Sequence, residues 1–143
     1  MFSKACEYAI KASIYIARQS LQKRRVNVKE VSQSVDAPVA FTAKILQVLC
    51  REDIMQSVRG QQGGFLFDEI KQKEIKIFDL VRIFDGDGRF TQCGLGLQKC
   101  SAENPCPVHD DFKVVREKLL EMTQKHSLYD LGLRTESGLA WLK

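Results

Sequence analysis

Cys93, Cys100, Cys106 and His109 fall in a stretch that also holds Gly94, Gly96, Pro105 and Pro107, and they are the residues of this chain best suited to chemistry. Thiolate and imidazole are the ligands that soft or borderline metals and iron-sulfur clusters prefer. The spacing Cys-x6-Cys-x5-Cys-x2-His lets a single loop present all four. Glycine and proline keep such a loop out of helix and let its backbone fold around a bound group. Three cysteines and one histidine also form a common structural zinc set, but zinc loops usually carry a tight Cys-x2-Cys knuckle, and this one has none. Free thiols in an irregular loop are the remaining reading.

The other candidates read as structural. Cys6 and Cys50 fall in predicted helices, where a cysteine is a small buried hydrophobe with an inert thiol. His126 lies where the last long helix ends and reads as a C-terminal cap. Five cysteines cannot all pair within one chain, and the opening Met1-Phe2-Ser3-Lys4-Ala5-Cys6-Glu7 lacks the apolar core and cleavage-like site of a signal peptide. A cytoplasmic protein with metal or redox chemistry is therefore expected, in place of a disulfide framework. No apolar run approaches the roughly 20 residues of a membrane span.

A loop of this kind needs a scaffold, and 143 residues suffice for one domain with a proper core. Charge is unevenly distributed over it. Residues 1–60 carry ten Lys and Arg against five Asp and Glu, a net +5 within a chain of net +4, so the rest is −1. A basic half suits a phosphate backbone without specifying one.

Ala5, Tyr8, Ala9, Ala12 and Ile16 keep helical spacing and predict a first helix that ends near Gln19. The basic loop 22–25 follows, then a short strand at Val26-Asn27-Val28 and a short helix over 29–35. Asp36-Ala37-Pro38 is a turn, with Pro38 tolerated at the first position of the next helix because its missing N–H costs nothing there. That helix runs from Val39 to about Arg51, with Phe41, Ile45, Leu46, Val48 and Leu49 as its apolar positions and Ala40, Thr42, Ala43, Lys44 and Gln47 partly outward. Residues 54–67 read as a hairpin around Arg59-Gly60-Gln61-Gln62-Gly63-Gly64. Two helices joined by a turn, followed by a basic hairpin, make a winged helix-turn-helix.

On this reading Thr42 and Lys44 reach phosphates or base edges, and Ala40 or Phe41 touches a thymine methyl, with Phe41 equally a core residue. Arg59 beside Gly60 and Gln61 suits a phosphate or a minor groove. A further helix is predicted over 74–84, ended by Asp85-Gly86-Asp87-Gly88. Beyond the cysteine loop, Phe112, Val115, Leu119 and Met122 form a narrow apolar stripe, as a helix that pairs with another helix requires. No nucleophile constellation, nucleotide-binding glycine fingerprint or paired-carboxylate site is present, so an enzyme is not expected.

Taken together, Ser3-Lys4 and Tyr8-Ala9, the helix-turn-helix from Val31 to Leu49, the wing from Ser57 to Phe65, and Cys106-Pro107-Val108-His109 after two earlier cysteines resemble the Rrf-type winged-helix transcription regulators. The resemblance runs nearly end to end. It implies a mainly α fold with a small β wing and a long C-terminal dimerisation helix, a homodimer on a near-palindromic operator in double-stranded DNA, and one two-iron or four-iron cluster per subunit. It makes Cys93, Cys100 and Cys106 the thiolate ligands; the DNA-facing set read from the helix-turn-helix and wing is Pro38, Ala40, Phe41, Thr42, Lys44, Arg59, Gly60 and Gln61. The fourth ligand is His109 in the manner of IscR-like members, or Glu7 of the partner subunit in the manner of NsrR-like members. Two departures stand out: the first cysteine gap is six residues instead of about five, and Ala43 replaces a glutamate that helps set site preference, which implies a different operator.

The expected organisation is a DNA-binding domain over 1–84, a cysteine-rich loop over 85–109, and a dimerisation helix with its tail over 110–143. The expected function is a DNA-binding regulator that senses redox state, nitric oxide or iron-sulfur status. The alternatives are a regulator with a cluster-free thiol switch or zinc, and a metal-binding interaction protein that does not regulate DNA.

Overall fold

Helix α1 spans Lys4–Leu21 in the computed structural model, which describes residues 1–142 of the chain. Its start is set by Ser3, whose Oγ accepts the Cys6 N–H at 3.1 Å and so satisfies one of the orphan donors of the first turn. Cys6, Ala9, Ala12, Ser13, Ile16, Ala17 and Ser20 share its buried face. Small residues predominate there, and that lets several elements pack against one central helix.

Helix α2 (Val28–Val35) begins earlier than the sequence suggests and replaces most of the expected strand. The reason is a capping box: Asn27 Oδ1 accepts the Glu30 N–H at 2.9 Å, and the Glu30 carboxylate accepts the Asn27 N–H at 2.9 Å. The strand survives at Val26 alone, which bridges Phe65 through Val26 N to Phe65 O at 3.1 Å and Phe65 N to Val26 O at 2.8 Å. Asp36, left-handed at φ 53° and ψ 55°, ends α2 and turns the chain toward α3 (Val39–Arg51). Pro38 is the N-cap of α3, one position before the expected one.

Strands β1 (Gln56–Val58) and β2 (Gly64–Leu66) pair antiparallel, with Ser57 opposite Phe65. Ser20 ties this wing to α1: its Oγ donates to Ile16 O at 2.7 Å and accepts the Phe67 N–H at 3.0 Å.

Helix α4 (Glu69–Glu74), capped by Asp68, was not anticipated, and α5 (Ile77–Asp85) starts three residues later than the periodicity indicates. Ile75 and Lys76 are extended because they pair with the chain at Ser127 and Leu128; the Leu128 N–H donates to Ile75 O at 2.9 Å. A single turn, α6 (Gly88–Thr91), follows where only a helix end was expected. After the cysteine loop come α7 (His109–Lys125) and α8 (Leu128–Glu136). His126 is the C-cap of α7, as expected. The tail instead forms α8, opened by the Ser127 and Asp130 capping box, and it lies along α1 in the most extensive helix pairing of the chain.

Ile16, Val26, Val31, Leu46, Leu49, Leu80 and Leu128 are fully buried at the centre. Each such side chain contributes about 1.5–3 kcal/mol relative to exposure. They hold α1, the helix-turn-helix and α8 as one body. Helix α7 departs from that body: Thr123 is its one buried residue, while Val114 and Val115 are each 57% exposed and Met122 is 43% exposed. Of its apolar stripe, Phe112 and Leu119 are half-buried, while Val115 and Met122 are exposed. No described helix is long and apolar enough to cross a membrane.

Gly132 marks where α8 meets α1. A Cβ there would stand 3.1 Å from Arg18 N and 3.2 Å from Ala17 C, both backbone atoms that cannot rotate away. Gly132→Val should therefore lower stability by about 1–3 kcal/mol through overpacking. Urea unfolding of the variant measures this, and an unchanged midpoint would show that the two helices separate freely.

Candidate metal centre and nucleic-acid interface

The cysteine loop leaves α6 at Gln92 and re-enters helix at His109, so His109 is fixed by helix, while Cys93 directly follows the C-cap of α6 and the residues between follow turns. Gly96 N donates to Cys93 O at 2.9 Å, Ser101 and Asn104 exchange backbone hydrogen bonds at 3.2 Å, and His109 N donates to Cys106 O at 3.0 Å. These turns gather the sulfurs. The Sγ atoms of Cys93, Cys100 and Cys106 lie within 4.8 Å of one another, and Cys93 and Cys106 are 3.8 Å apart. Cys100 Sγ lies 3.2 Å from His109 Nδ1 and accepts the Cys106 N–H at 3.4 Å.

Gly94 is needed at its position, because a Cβ would meet the Phe112 ring at 2.4 Å. The ring clamps the loop at the residue after Cys93. Backbone N–H groups of Leu97 and Leu95 point at Cys93 and bring its thiol down to about 7, with smaller help from the neighbouring thiols. At Cys100 the Cys106 N–H favours the thiolate, yet partial burial and the adjacent sulfurs outweigh it and raise the thiol. Three clustered thiols, one already inclined to ionise, suit a soft metal ion or an iron-sulfur cluster. By contrast, burial and then the Asp85 charge push Cys6 up to about 12, and burial raises Cys50. These two are the inert thiols that the sequence suggests.

His109 touches the set through Cys100 alone. Glu7 pairs with Lys4 at 3.0 Å on α1 and does not join the thiols of its own chain.

A joint connects this loop with the helix-turn-helix, and sequence reasoning missed it. The Asp85 side chain, 2% exposed, accepts Ser3 N at 2.9 Å, the Ser3 hydroxyl, and Arg89 Nε at 3.1 Å; Arg89 also donates to Met1 O. Asp85 thus holds the residue that caps α1, while Arg89 lies in α6, next to Cys93. In the sequence Asp85 reads as a helix terminator, and nothing local reveals a partner 82 positions away.

The helix-turn-helix and the wing present the basic surface. Pro38, Ala40 and Lys44 are exposed on α3, together with Val39, Gln47 and Arg51. Arg59, Gly60 and Gln61 are exposed at the wing tip. Phe41 is half-buried, edge-on to Tyr8 with ring centroids 5.5 Å apart, and so belongs mainly to packing. Thr42 corrects the sequence reading: it is 2% exposed, and its hydroxyl donates back to Pro38 O at 3.0 Å, so it stabilises the first turn of α3 and does not face a groove. Arg25 was not singled out, yet its guanidinium reaches Gln62 O at 3.4 Å and adds a cation beside the wing.

A sequence profile of the Rrf2 family, described as iron-dependent transcriptional regulators, matches residues 2–133. A relative from Aquifex aeolicus, named as an HTH-type transcriptional regulator, is 30% identical over 133 residues, covering 92% of this chain and 90% of that protein. Protein aau3 of Rhizobium meliloti is 25% identical over 130 residues, covering 90% of this chain and 82% of that protein. Of solved structures, the chain is similar to CymR, the global cysteine regulator of B. subtilis, with TM-score 0.76 and 17% identity over 93% of this chain and 96% of that one. It is also similar to T. potens IscR, with TM-score 0.71 and 19% identity over 98% of this chain and 91% of that one.

The Asp85 joint has a pH signature. Burial disfavours the carboxylate, but the Ser3 donors and Arg89 prevail and hold its pKa below the ordinary 3.8. A depressed carboxyl pKa contributes stability that is complete above 3.8 and is lost as pH falls through the lowered value. Asp85→Asn should cost about 1–3 kcal/mol at pH 7, and the gap from wild type should narrow below pH 3.8. Urea unfolding at pH 7 and pH 3 checks both, and a gap that widens in acid would refute the assignment.

Proposed function

Because the chain belongs to the Rrf2 family of transcriptional regulators, we propose that it is a homodimeric, cytoplasmic DNA-binding regulator whose cysteine loop senses redox, nitric oxide or iron-sulfur status. The observation that carries this reading is the gathering of Cys93, Cys100 and Cys106 within 4.8 Å, on a loop joined to the cap of α1. The three thiolates would hold an iron-sulfur cluster of two or four irons. Either His109 or Glu7 of the partner subunit would complete the set. When bound, such a cluster supplies a group that oxygen or nitric oxide alters and that iron limitation withholds.

The chain's own residues carry the consequence. Phe112 packs on Gly94 and His109 opens α7, so the shape of the loop bears directly on the first turn of that helix. On the other side, Arg89 and Asp85 bear on Ser3 and the start of α1, whose far end touches the wing through Ser20. Val115 and Met122, exposed on α7 beside the half-buried Leu119, supply an apolar surface on which a second copy packs. Two copies would then present two α3 helices to successive major grooves of a near-palindromic operator, about 34 Å apart. Val39, Ala40, Lys44 and Gln47 would face the bases and phosphates, with Arg59 and Arg25 on the flanking backbone or minor groove. A coupling of ~1–3 kcal/mol between loop and dimer geometry changes DNA affinity about 5- to 150-fold.

The test is operator affinity, by fluorescence anisotropy, of anaerobic and air-exposed protein beside a variant with all three loop cysteines replaced by Ala. Wild type should show two affinities, and the variant should fold, dimerise and show one. A variant that keeps both would remove the loop from the mechanism. Arg59→Ala should weaken binding to every duplex and lower the salt slope by about 1; an unchanged titration would remove the wing.

A further inference from the structure

We propose that the metal-free loop has a defined redox chemistry of its own, in which Cys93 and Cys106 close an intrachain disulfide under a peroxide and Cys100 stays a free thiol. The proposal rests on the reading of this loop as a sensor and specifies the state it enters once the metal is gone.

Three pairings are available to three cysteines, and the geometry selects one. The Sγ atoms of Cys93 and Cys106 already stand 3.8 Å apart. A disulfide is about 2.05 Å long, so the sulfurs need to approach by about 1.8 Å. The segment that must move does not belong to the core. Residues 94–99 and 101–105 are exposed, and turn hydrogen bonds hold them in place of buried side chains. The sulfur of Cys100 is otherwise engaged, against His109 Nδ1 at 3.2 Å and the Cys106 N–H at 3.4 Å. Those contacts hold it to the start of α7 and to the turn that precedes it. Cys6 is buried in α1, and Cys50 sits in α3, so neither competes.

With hydrogen peroxide the step balances as follows. One thiolate of the pair attacks a peroxide oxygen, the O–O bond breaks, and a sulfenic acid forms with release of one water. The second thiol displaces the sulfenic hydroxyl as another water and forms the S–S bond. Two sulfurs each give up one electron, the peroxide takes both, and the two thiol protons leave in the two waters. The product removes two of the three thiolates from metal binding. Iron supply alone then no longer restores the loaded state, and a thiol reductant becomes a second requirement for reset.

The experiment uses full-length, metal-free, reduced protein and hydrogen peroxide. Thiols titrated in denaturant should fall from the five of the sequence to three per chain. Tryptic cleavage after Lys99 separates Cys93 from the other two loop cysteines, and fragmentation of the cross-linked peptide should locate the bond at Cys106. Cys100→Ala should form the same bond, whereas Cys93→Ala and Cys106→Ala should form no intrachain bond. A map dominated by Cys100, or oxidation to sulfinic acid with no cross-link, would overturn the proposal. The sensor reading fails separately: reduced wild type that takes up no iron and sulfide under anaerobic reconstitution would defeat that reading while leaving the disulfide result untouched.

Discussion

The Asp85 carboxylate is the constraint on which the arrangement depends. It is almost wholly buried, and a buried charge persists only if it is paired and hydrogen-bonded. Ser3 and Arg89 supply that satisfaction from opposite directions. Ser3 is also the residue that starts α1, and Arg89 lies in the turn that leads into the cysteine loop. One side chain therefore fixes the cap of the central helix and the root of the loop in the same few ångströms. A change in the loop cannot displace α6 without disturbing the Arg89 hydrogen bond to a carboxylate that is almost wholly buried.

From that joint the consequences run along α1. Its small buried residues let α8 lie close against it, with Gly132 at the nearest approach, and let α2 and α3 pack on its other faces. Ser20 near its far end holds the return of the wing. The wing is thus tied to the far end of α1, while α3 packs through Phe41 on Tyr8, near the end that the Asp85 joint holds. Helix α7 is the exception, since Thr123 is its one buried residue and half of its apolar stripe, Val115 and Met122, is exposed. Fold and family together make this a transcriptional regulator and not an enzyme. The family does not dictate how loop and dimer communicate; the Asp85 joint and the Phe112 clamp are what this chain offers for it.

Features encoded by local pattern were legible in the sequence. The spacing of Ile45, Leu46 and Leu49 placed α3, and the glycines between two apolar runs placed the wing. The cysteine spacing identified a loop whose sulfurs do converge. Features that depend on distant partners were not legible. Asn27 looked like part of a strand because the capping box with Glu30 competes with a β-branched neighbourhood. Ile75 and Lys76 looked helical because their pairing with Ser127 and Leu128 lies some 50 residues away. Helix α8 is short and weakly patterned, and its buried face includes Gly132, which propensity argues against. Thr42 looked outward on a helical wheel, but its hydroxyl finds the Pro38 carbonyl one turn back.

The most direct test of the central claim, that the three thiols hold an iron-sulfur cluster, is the visible spectrum of protein purified without oxygen, with iron, acid-labile sulfide and zinc assayed on the same sample. The account predicts iron and sulfide in matching amounts, with charge-transfer absorption between roughly 320 and 600 nm. Colourless protein with stoichiometric zinc and no sulfide would contradict it and make the loop a structural metal site.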